Sequence, residues 1–320
     1  MNIEVTSSII SSIFIVEYIS LSYDIDKVIC CELLQSKTND VYRIETTKEK
    51  FILKIYKYQS KKISEINFEI EFVSYLKKSN LNVANYISKK DGDFILKIDA
   101  PEGMRYALLT IYTEGNELEY KTSEDAFLYG LNIAKIHKVS QDFKQNRTVK
   151  TIDVNLMLEV SIRTIEKILE KEYLDELEYF QYFFKILKSK VKYSQIDNLK
   201  KTFCHGDLHG GNAHKNLNNI TFFDFDFCGY GLIAYDISVF RWGCIIMKGD
   251  WQWQNFIKGY RTINTLDDNE LEKSLLFVAI QDLWVMHLYL SRIDTMGQLS
   301  IHKFYIQKRI EFLKNLEKQI

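Results

Sequence analysis

The sequence predicts an α+β protein in two parts, a strand-rich first third and a mostly helical remainder. Three observations carry that expectation. Residues 41–44 (VYRI) and 51–56 (FILKIY) are short runs of β-branched and aromatic residues joined by a polar stretch, which reads as an antiparallel hairpin. Residues 68–76 (FEIEFVSYL) set Phe68, Phe72, Val73 and Leu76 on one helical face. From about residue 113 onward the patterning is helical, and after Asp236 it becomes rich in aromatics.

Taken along the chain, residues 9–19 are apolar but short, carry Glu17 and follow no basic region. A first helix packed on the strand-rich part is expected there, rather than a signal or a membrane span. Residues 36–42 (SKTNDVY) form a polar turn before the hairpin's second strand. Asp91-Gly92, between YISKK and FILKI, reads as another hairpin turn. The charged run 165–191 reads as a solvated helix face. Trp242, Trp251, Trp253, Trp284 and Tyr289 are expected to be mostly core, and the single proline, Pro101, reads as composition bias. The domain expectation is 1–112 and 113–320.

The most informative stretch is 203–226, FCHGDLHGGNAHKNLNNITFFDFD. Asp207-Leu-x-x-x-Asn212 has the spacing of the kinase catalytic loop, where an aspartate takes the acceptor hydroxyl's proton and an asparagine holds Mg²⁺. A hydrophobic strand, 220–223, then delivers Asp224 followed by Phe225, as in the kinase metal-binding Asp-Phe pair. Phosphoryl transfer needs positioning and charge neutralisation more than covalent catalysis. One carboxylate must face the hydroxyl, while a second carboxylate and an amide oxygen supply the hard donors that Mg²⁺ prefers. Gly206, Gly210 and Gly211 give the loop its tight path. His205, His209 and His214 invite a zinc reading, but the intervening Gly-Gly breaks any helical pairing and no cysteine spacing completes a site. His205 is expected to support the loop, with His209 and His214 exposed.

A second constellation lies upstream. Lys54 sits inside an apolar strand, so its ammonium must find an anion or reach solvent. A helix carboxylate holding a strand lysine is the kinase arrangement for clamping ATP phosphates. Glu69, beside the apolar face of 68–76, is preferred over Glu65 and Glu71.

These pieces resemble the aminoglycoside phosphotransferase and choline kinase superfamily, in that family's order over most of the chain. The matching stretches are SKTNDVY, FILKIY, the Glu69 helix, YALLTIY (106–112) with Gly115, YGLNIAKIH (129–137), FCHGDLHGGN, FFDFD and YGLIAYDISVF. The resemblance implies a two-lobed protein-kinase-like fold, with a small antiparallel-sheet N-lobe and a mostly helical C-lobe. It implies Asp207 as catalytic base, Asn212 and Asp224 as Mg²⁺ ligands, Lys54 on the ATP phosphates and Glu69 orienting Lys54. Ser36, Thr38 and Asn39 would offer donors to phosphate, the backbone near Leu109 and Ile111 would meet adenine, and Asp236 would brace the catalytic loop. Two departures stand out: the 36–42 turn has no glycine, and Asp226 replaces the protein kinase glycine.

Composition narrows the class. A chain of 320 residues with 46% hydrophobic and 27% charged residues supports a sizeable core. A net charge of −1 without a basic block gives nucleic acid or anionic membranes no electrostatic footing. Five cysteines without a CxxC or an even framework suit a reducing cytoplasm, and Cys204 and Cys228 flank the site closely enough for alkylation to inhibit. The expectation is an ATP- and Mg²⁺-dependent kinase for a small-molecule hydroxyl: an amino alcohol, a hydroxy amino acid, an aminoglycoside-like antibiotic or a sugar. Asp250, Asp282 and Asp294 are candidates for an acidic acceptor pocket, each otherwise a solvated carboxylate. The alternatives are a protein Ser/Thr kinase, disfavoured by the missing Ala-Pro-Glu segment, and a non-catalytic nucleotide-binding protein.

Overall fold

The structure, a computed structural model, describes residues 4–145, 150–298 and 301–320. These fall into two compact units. The first holds the chain up to Asn116 together with His214–Asp224; the second holds Glu117–Ala213 and Phe225–Ile320. The chain therefore passes between units at three points, where the sequence had suggested one cut after residue 112. The reason is a short strand pair that returns to the first unit.

The first unit contains α1 (Ser12–Ser22), β1 (Val28–Ser36), β2 (Asn39–Thr46), β3 (Lys50–Tyr56), α2 (Ile63–Lys78), β4 (Leu96–Ala100) and β5 (Gly103–Ile111). The five strands form one antiparallel sheet in the order β1-β2-β3-β5-β4. Side chains alternate along β3. Phe51, Leu53 and Ile55 enter a core shared with Ile15, Ile19 and Tyr23 at and just beyond α1. Tyr56 instead packs with Ile66 and Ile70 of α2 on the opposite face. Lys54 has the parity of Tyr56, so the strand's own pleat turns it toward α2. The hairpin β2–β3 and the helix 63–78 meet expectation, and α1 begins at the Ser11 cap.

Two sequence expectations fail here. Asp91-Gly92 does make a turn, with Gly92 at φ 87°, but residues 86–90 form no strand. The hairpin lies one element later: β4 turns into β5 through Pro101 and Glu102, so the single proline has a structural place. The edge strand β1 was not anticipated.

The two-residue strand β6 (Asn116–Glu117) leads into α3 (Ser123–Ser140), α4 (Val154–Leu169), α5 (Leu174–Tyr193) and β7 (Lys201–Cys204). The strands β8 (Ala213–Asn216) and β9 (Asn219–Phe222) pair with each other. The second unit resumes with β10 (Gly229–Leu232), α6 (Ile233–Ile246), α7 (Asp250–Tyr260), α8 (Asp268–Leu290), the short α9 (Ile293–Met296) and α10 (Lys303–Glu317). The run 165–191 is two helices, each burying a stripe that includes Ile165, Leu169, Phe180, Phe183 and Leu187. Helices α3 and α7 approach so closely that a Cβ at Gly130 would collide with the Phe256 carbonyl. Tyr120, Tyr129, Phe240 and Phe256 fill the core beside this crossing. The tryptophans stay at its margin: Trp251 is exposed and Trp242, Trp253 and Trp284 are half-buried, contrary to expectation.

Asp282 is not a solvated carboxylate. It is fully buried in α8, where it accepts the Trp242 indole N–H at 2.8 Å and a guanidinium N–H of Arg309 in α10 at 2.7 Å. Its second oxygen, Oδ2, has no hydrogen-bond partner among the described residues. Burial outweighs the pull of Arg309 and pushes the carboxyl pKa up from 3.8 to about 6. Asp250 and Asp294 are exposed.

Two outcomes are expected. Because the Asp282 value lies above that of the unfolded chain, the associated stability is fully present below pH 3.8 and lost as pH rises through about 6. Wild type should therefore lose stability relative to Asp282→Asn between pH 4 and 7 in urea titrations, and a pH-independent difference would remove the proton linkage. Cys204, Cys228 and Cys244 are buried, and burial pushes the Cys204 thiol well up and Cys244 up to about 12. Iodoacetamide should thus label native protein at Cys30 and Cys31 and leave the other three intact until denaturant is added. Peptide mass mapping reads this, and early labelling of Cys204 would contradict the burial of β7.

Candidate active site

The first unit presents a buried carboxylate surrounded by donors. Glu69 on α2 is 1% exposed. Its Oε1 accepts Lys54 Nζ at 3.0 Å and the Tyr86 hydroxyl at 2.6 Å. Its Oε2 accepts the Tyr56 hydroxyl at 2.9 Å and Lys61 Nζ at 3.2 Å. Both ammonium groups also lie over the Tyr56 ring, at 5.0 and 5.1 Å from its centroid. Four donors satisfy a carboxylate that could not be buried alone. Glu65 caps α2 through the Lys62 N–H instead.

Asp224 joins this cluster from the returning strand pair. Phe222 at the end of β9 exchanges backbone hydrogen bonds with the segment after α2, donating to the Asn82 carbonyl at 3.0 Å and accepting from Ala84 at 2.8 Å. That anchor brings Asp224 Oδ1 to 3.2 Å from Lys54 Nζ. Asp224 has φ 60°, a left-handed conformation that a non-glycine residue holds only under structural constraint.

The proposed phosphate turn is more committed than its composition suggests. The Ser36 hydroxyl donates to Asp40 at 2.6 Å and accepts Lys57 Nζ at 3.0 Å. Asp40 is fully buried and also binds Lys57 at 2.5 Å and Arg105 at 2.6 Å. Asn39 is buried at the start of β2, so of the three only Thr38 is an exposed side chain with an uncommitted hydroxyl. On β5, the Leu109 carbonyl already accepts Ile87 N–H and the Ile111 N–H donates to Asn85. An adenine contact at Leu109 would have to use the carbonyl's second lone pair, and the Ile111 N–H is spent.

The second unit carries the catalytic-loop sequence. Antiparallel pairing of β7 with β10, Cys204 opposite Gly229, runs straight into α6, whose first turn holds Asp236. Asp236 is completely buried and accepts the His205 N–H at 3.1 Å, the Gly206 N–H at 2.7 Å and His137 Nε2–H at 2.8 Å. The acceptor-only carboxylate calls for a proton on Nε2, and His137 Nδ1 lies 2.8 Å from the Tyr260 hydroxyl. Of the three loop glycines only Gly206 is left-handed, at φ 84°, and a Cβ there would strike the Phe227 carbonyl. Cys204 lies within this buried group, but its neutral, strongly raised thiol and the engaged His137 and Asp236 make a structural brace, not a metal centre.

Asp207 follows the brace. Its N–H donates to His205 Nδ1 at 3.3 Å, and Asn212 Nδ2 donates to both its carbonyl and its Oδ2, each at 3.0 Å. Asp207 Oδ1 and Asn212 Oδ1 accept no hydrogen bond from the described residues, which leaves one carboxylate oxygen and one amide oxygen available for chemistry.

His209 is not simply exposed: its Nε2 lies 3.3 Å from Asp207 Oδ2 while Nδ1 accepts the Gly211 N–H. His214 belongs to the first unit, where it hydrogen-bonds the Thr113 carbonyl at 2.7 Å. The sequence reading also missed Tyr56, Tyr86 and Lys61 on Glu69, and His137 and Tyr260 beneath Asp236. The two-residue spacing of Lys54 and Tyr56 on one strand face was the one local signal among them. Asp226 is buried, and its carbonyl accepts Lys150 Nζ at 2.6 Å.

Known proteins resemble this chain in sequence and in fold. An uncharacterised protein of Synechocystis sp. is 30% identical over 302 residues, covering 92% of this chain and 82% of its own. The solved structure of amicoumacin kinase hAmiN, in complex with AMP-PNP, Ca²⁺ and Ami, superposes at TM-score 0.79 with 20% identity, over 97% of this chain and 94% of that one. A microcompartment-associated aminopropanol kinase superposes at TM-score 0.76 with 20% identity, over 95% of each chain. At that identity they speak for the fold, which is α+β and protein-kinase-like. Residues 31–267 match the model of the phosphotransferase enzyme family, a span that takes in Lys54, Glu69, Asp207, Asn212, Asp224 and Asp236. The chain belongs to that family and is an enzyme of the phosphotransferase class.

Proposed function

We propose that the protein transfers the γ-phosphoryl group of ATP to a hydroxyl of a small molecule bearing an amino group, with Asp207 as the general base. The observation that carries this is the state of Asp207: Asn212 holds one carboxylate oxygen and leaves Oδ1 open to an acceptor proton. In the reaction, the acceptor oxygen bonds to the γ-phosphorus as the bond from that phosphorus to the β–γ bridging oxygen breaks. Asp207 takes the hydroxyl proton and ADP leaves. His209, 3.3 Å from the other oxygen, helps hold the carboxylate in place.

Lys54 is read as the phosphate lysine and Glu69 as the group that fixes it, which their 3.0 Å contact supports. Asn212, through Oδ1, and Asp224 offer the hard oxygen donors that suit a magnesium ion. Such an ion, when bound, would neutralise charge on the transferring phosphates. Thr38 is retained as a phosphate donor, while the roles of Ser36, Asn39, Leu109 and Ile111 are narrowed by the partners they already hold.

A small acceptor is favoured over a protein because the chain from Phe225 to Asp236 is fully used. Only four residues separate Asp224 from β10, and α6 begins directly after that strand. No length remains for a peptide-docking segment. An amino-bearing acceptor is suggested by the aminopropanol named for one of the two structural neighbours. No helix among the described residues is long and apolar enough to cross a membrane.

Asp207→Ala should lose ~10²–10⁴-fold in acceptor-stimulated ADP release while still binding nucleotide. The assay would use ATP, Mg²⁺ and a panel of amino alcohols, hydroxy amino acids, aminoglycosides and sugars; retained turnover would remove Asp207 as the base. In calorimetry, Asp224→Ala should abolish the magnesium-dependent part of nucleotide affinity, and an unchanged dependence on the metal would refute its role as a ligand.

A further inference from the structure

We infer that the second unit carries a separate binding site for a small oxyanion, a carboxylate or phosphate group. It occupies a cleft of about 750 Å³ bordered by Lys190, Arg241, Trp253, Asp268, Glu272 and Lys273. The inference does not rest on the proposed kinase reaction, since neither Asp207 nor Asn212 borders this cleft.

Arg241 is the centre of the argument. It projects from α6 and is half-buried against α8, where Nη1 donates to the Leu271 carbonyl at 3.2 Å and to the Ser274 hydroxyl. Its guanidinium lies 5.1 Å from the centroid of the Trp253 ring on α7. Among the described residues no carboxylate forms an ion pair with it, and neither Nε nor Nη2 has an acceptor. Arg105 pairs with Asp40 at 2.6 Å and Arg309 with Asp282 at 2.7 Å. The acid whose charge Arg241 feels is Asp250, an exposed group, and burial still lowers the guanidinium's pKa.

A half-buried guanidinium with two uncommitted nitrogens is only partly hydrated, so an anion reaching it meets a cation that has already lost part of its water. The open pair of nitrogens presents the fork that a carboxylate or phosphate accepts in two parallel hydrogen bonds. Nη1 is fixed by α8, so the fork is held in place before any ligand arrives. The Trp253 ring, stacked on Phe256, lies against the guanidinium and helps fix its plane. Charge in the cleft also favours an anion. Lys190 and Lys273 stand with Arg241, whereas Asp268 is engaged by Arg261 at 3.2 Å, leaving Glu272 as the opposing carboxylate. The volume lies within the range of small-molecule sites.

The probes are inorganic phosphate and benzoate, titrated by calorimetry at constant chloride. Wild type and Lys54→Met should bind one or both saturably with equal affinity, and the probe that binds separates a phosphate site from a planar carboxylate site. Arg241→Gln should weaken binding at least ~10-fold, the equivalent of one charge-assisted hydrogen bond. Lys273→Gln, at a half-buried lysine that also donates to Asn269, should weaken it ~3-fold, and the ligand-induced change in tryptophan fluorescence should vanish in Trp253→Phe. Absence of saturable binding in the millimolar range would overturn the site. So would equal binding by folded Arg241→Gln and Lys273→Gln, or loss of binding in Lys54→Met, which would move the anion to the nucleotide residues.

Discussion

The Asp207 loop of the second unit depends on one buried carboxylate, that of Asp236. Three N–H groups converge on it, two from the backbone at His205 and Gly206 and one from His137. A carboxylate with no exposure is tolerable only when hydrogen-bonded in this way, so the loop cannot drift without stranding a charge. Its location follows from chain economy. β10 pairs with β7 and runs directly into α6, which brings the first turn of that helix back beneath the residues that follow β7. Gly206 supplies the left-handed step, and Asp207 emerges with its N–H on His205 and its carboxylate on Asn212.

The first unit solves the same electrostatic problem with a different element. Glu69 is buried on a helix, and the residues that satisfy it come from a strand and the loops around it. Strand alternation aims Lys54 and Tyr56 at α2, while Phe51, Leu53 and Ile55 point into the core under α1. Two ammonium groups and two phenols meet on one carboxylate, and Asp224 also reaches Lys54. A lysine held between two carboxylates is fixed in position, which suits the phosphate-binding role proposed for it.

Helix α8 links the remaining features of the second unit. Its first half supplies the carbonyl and hydroxyl that fix Arg241, and its second half carries Asp282, which ties α10 through Arg309. One site leaves a cation short of an anion, and the other holds an acid whose second oxygen goes unpaired. A buried atom left unmatched carries an energetic cost, and Asp282 Oδ2 is one that lies outside the Asp207 loop.

Sequence and structure divide the explanation along a physical line. Local spacing determined the catalytic loop, the hairpin, the helix of Glu69 and the choice of Lys54, because strand period, helix period and short-loop offsets bind nearby residues together. The same reasoning placed Asp236 near the loop only through a family pattern. What it left undecided were the long-range partners. Ser36 is committed to Asp40, Ile111 spends its N–H on Asn85, His209 turns toward Asp207, and β8–β9 returns to the first unit. Asp91-Gly92 carried a genuine turn signal, yet the strand before it never formed, since its neighbours found β-partners elsewhere. Those outcomes depend on which buried polar groups meet across the packed core. Residues distant along the chain come together only when tertiary packing removes their water, and no periodicity in the sequence encodes that choice.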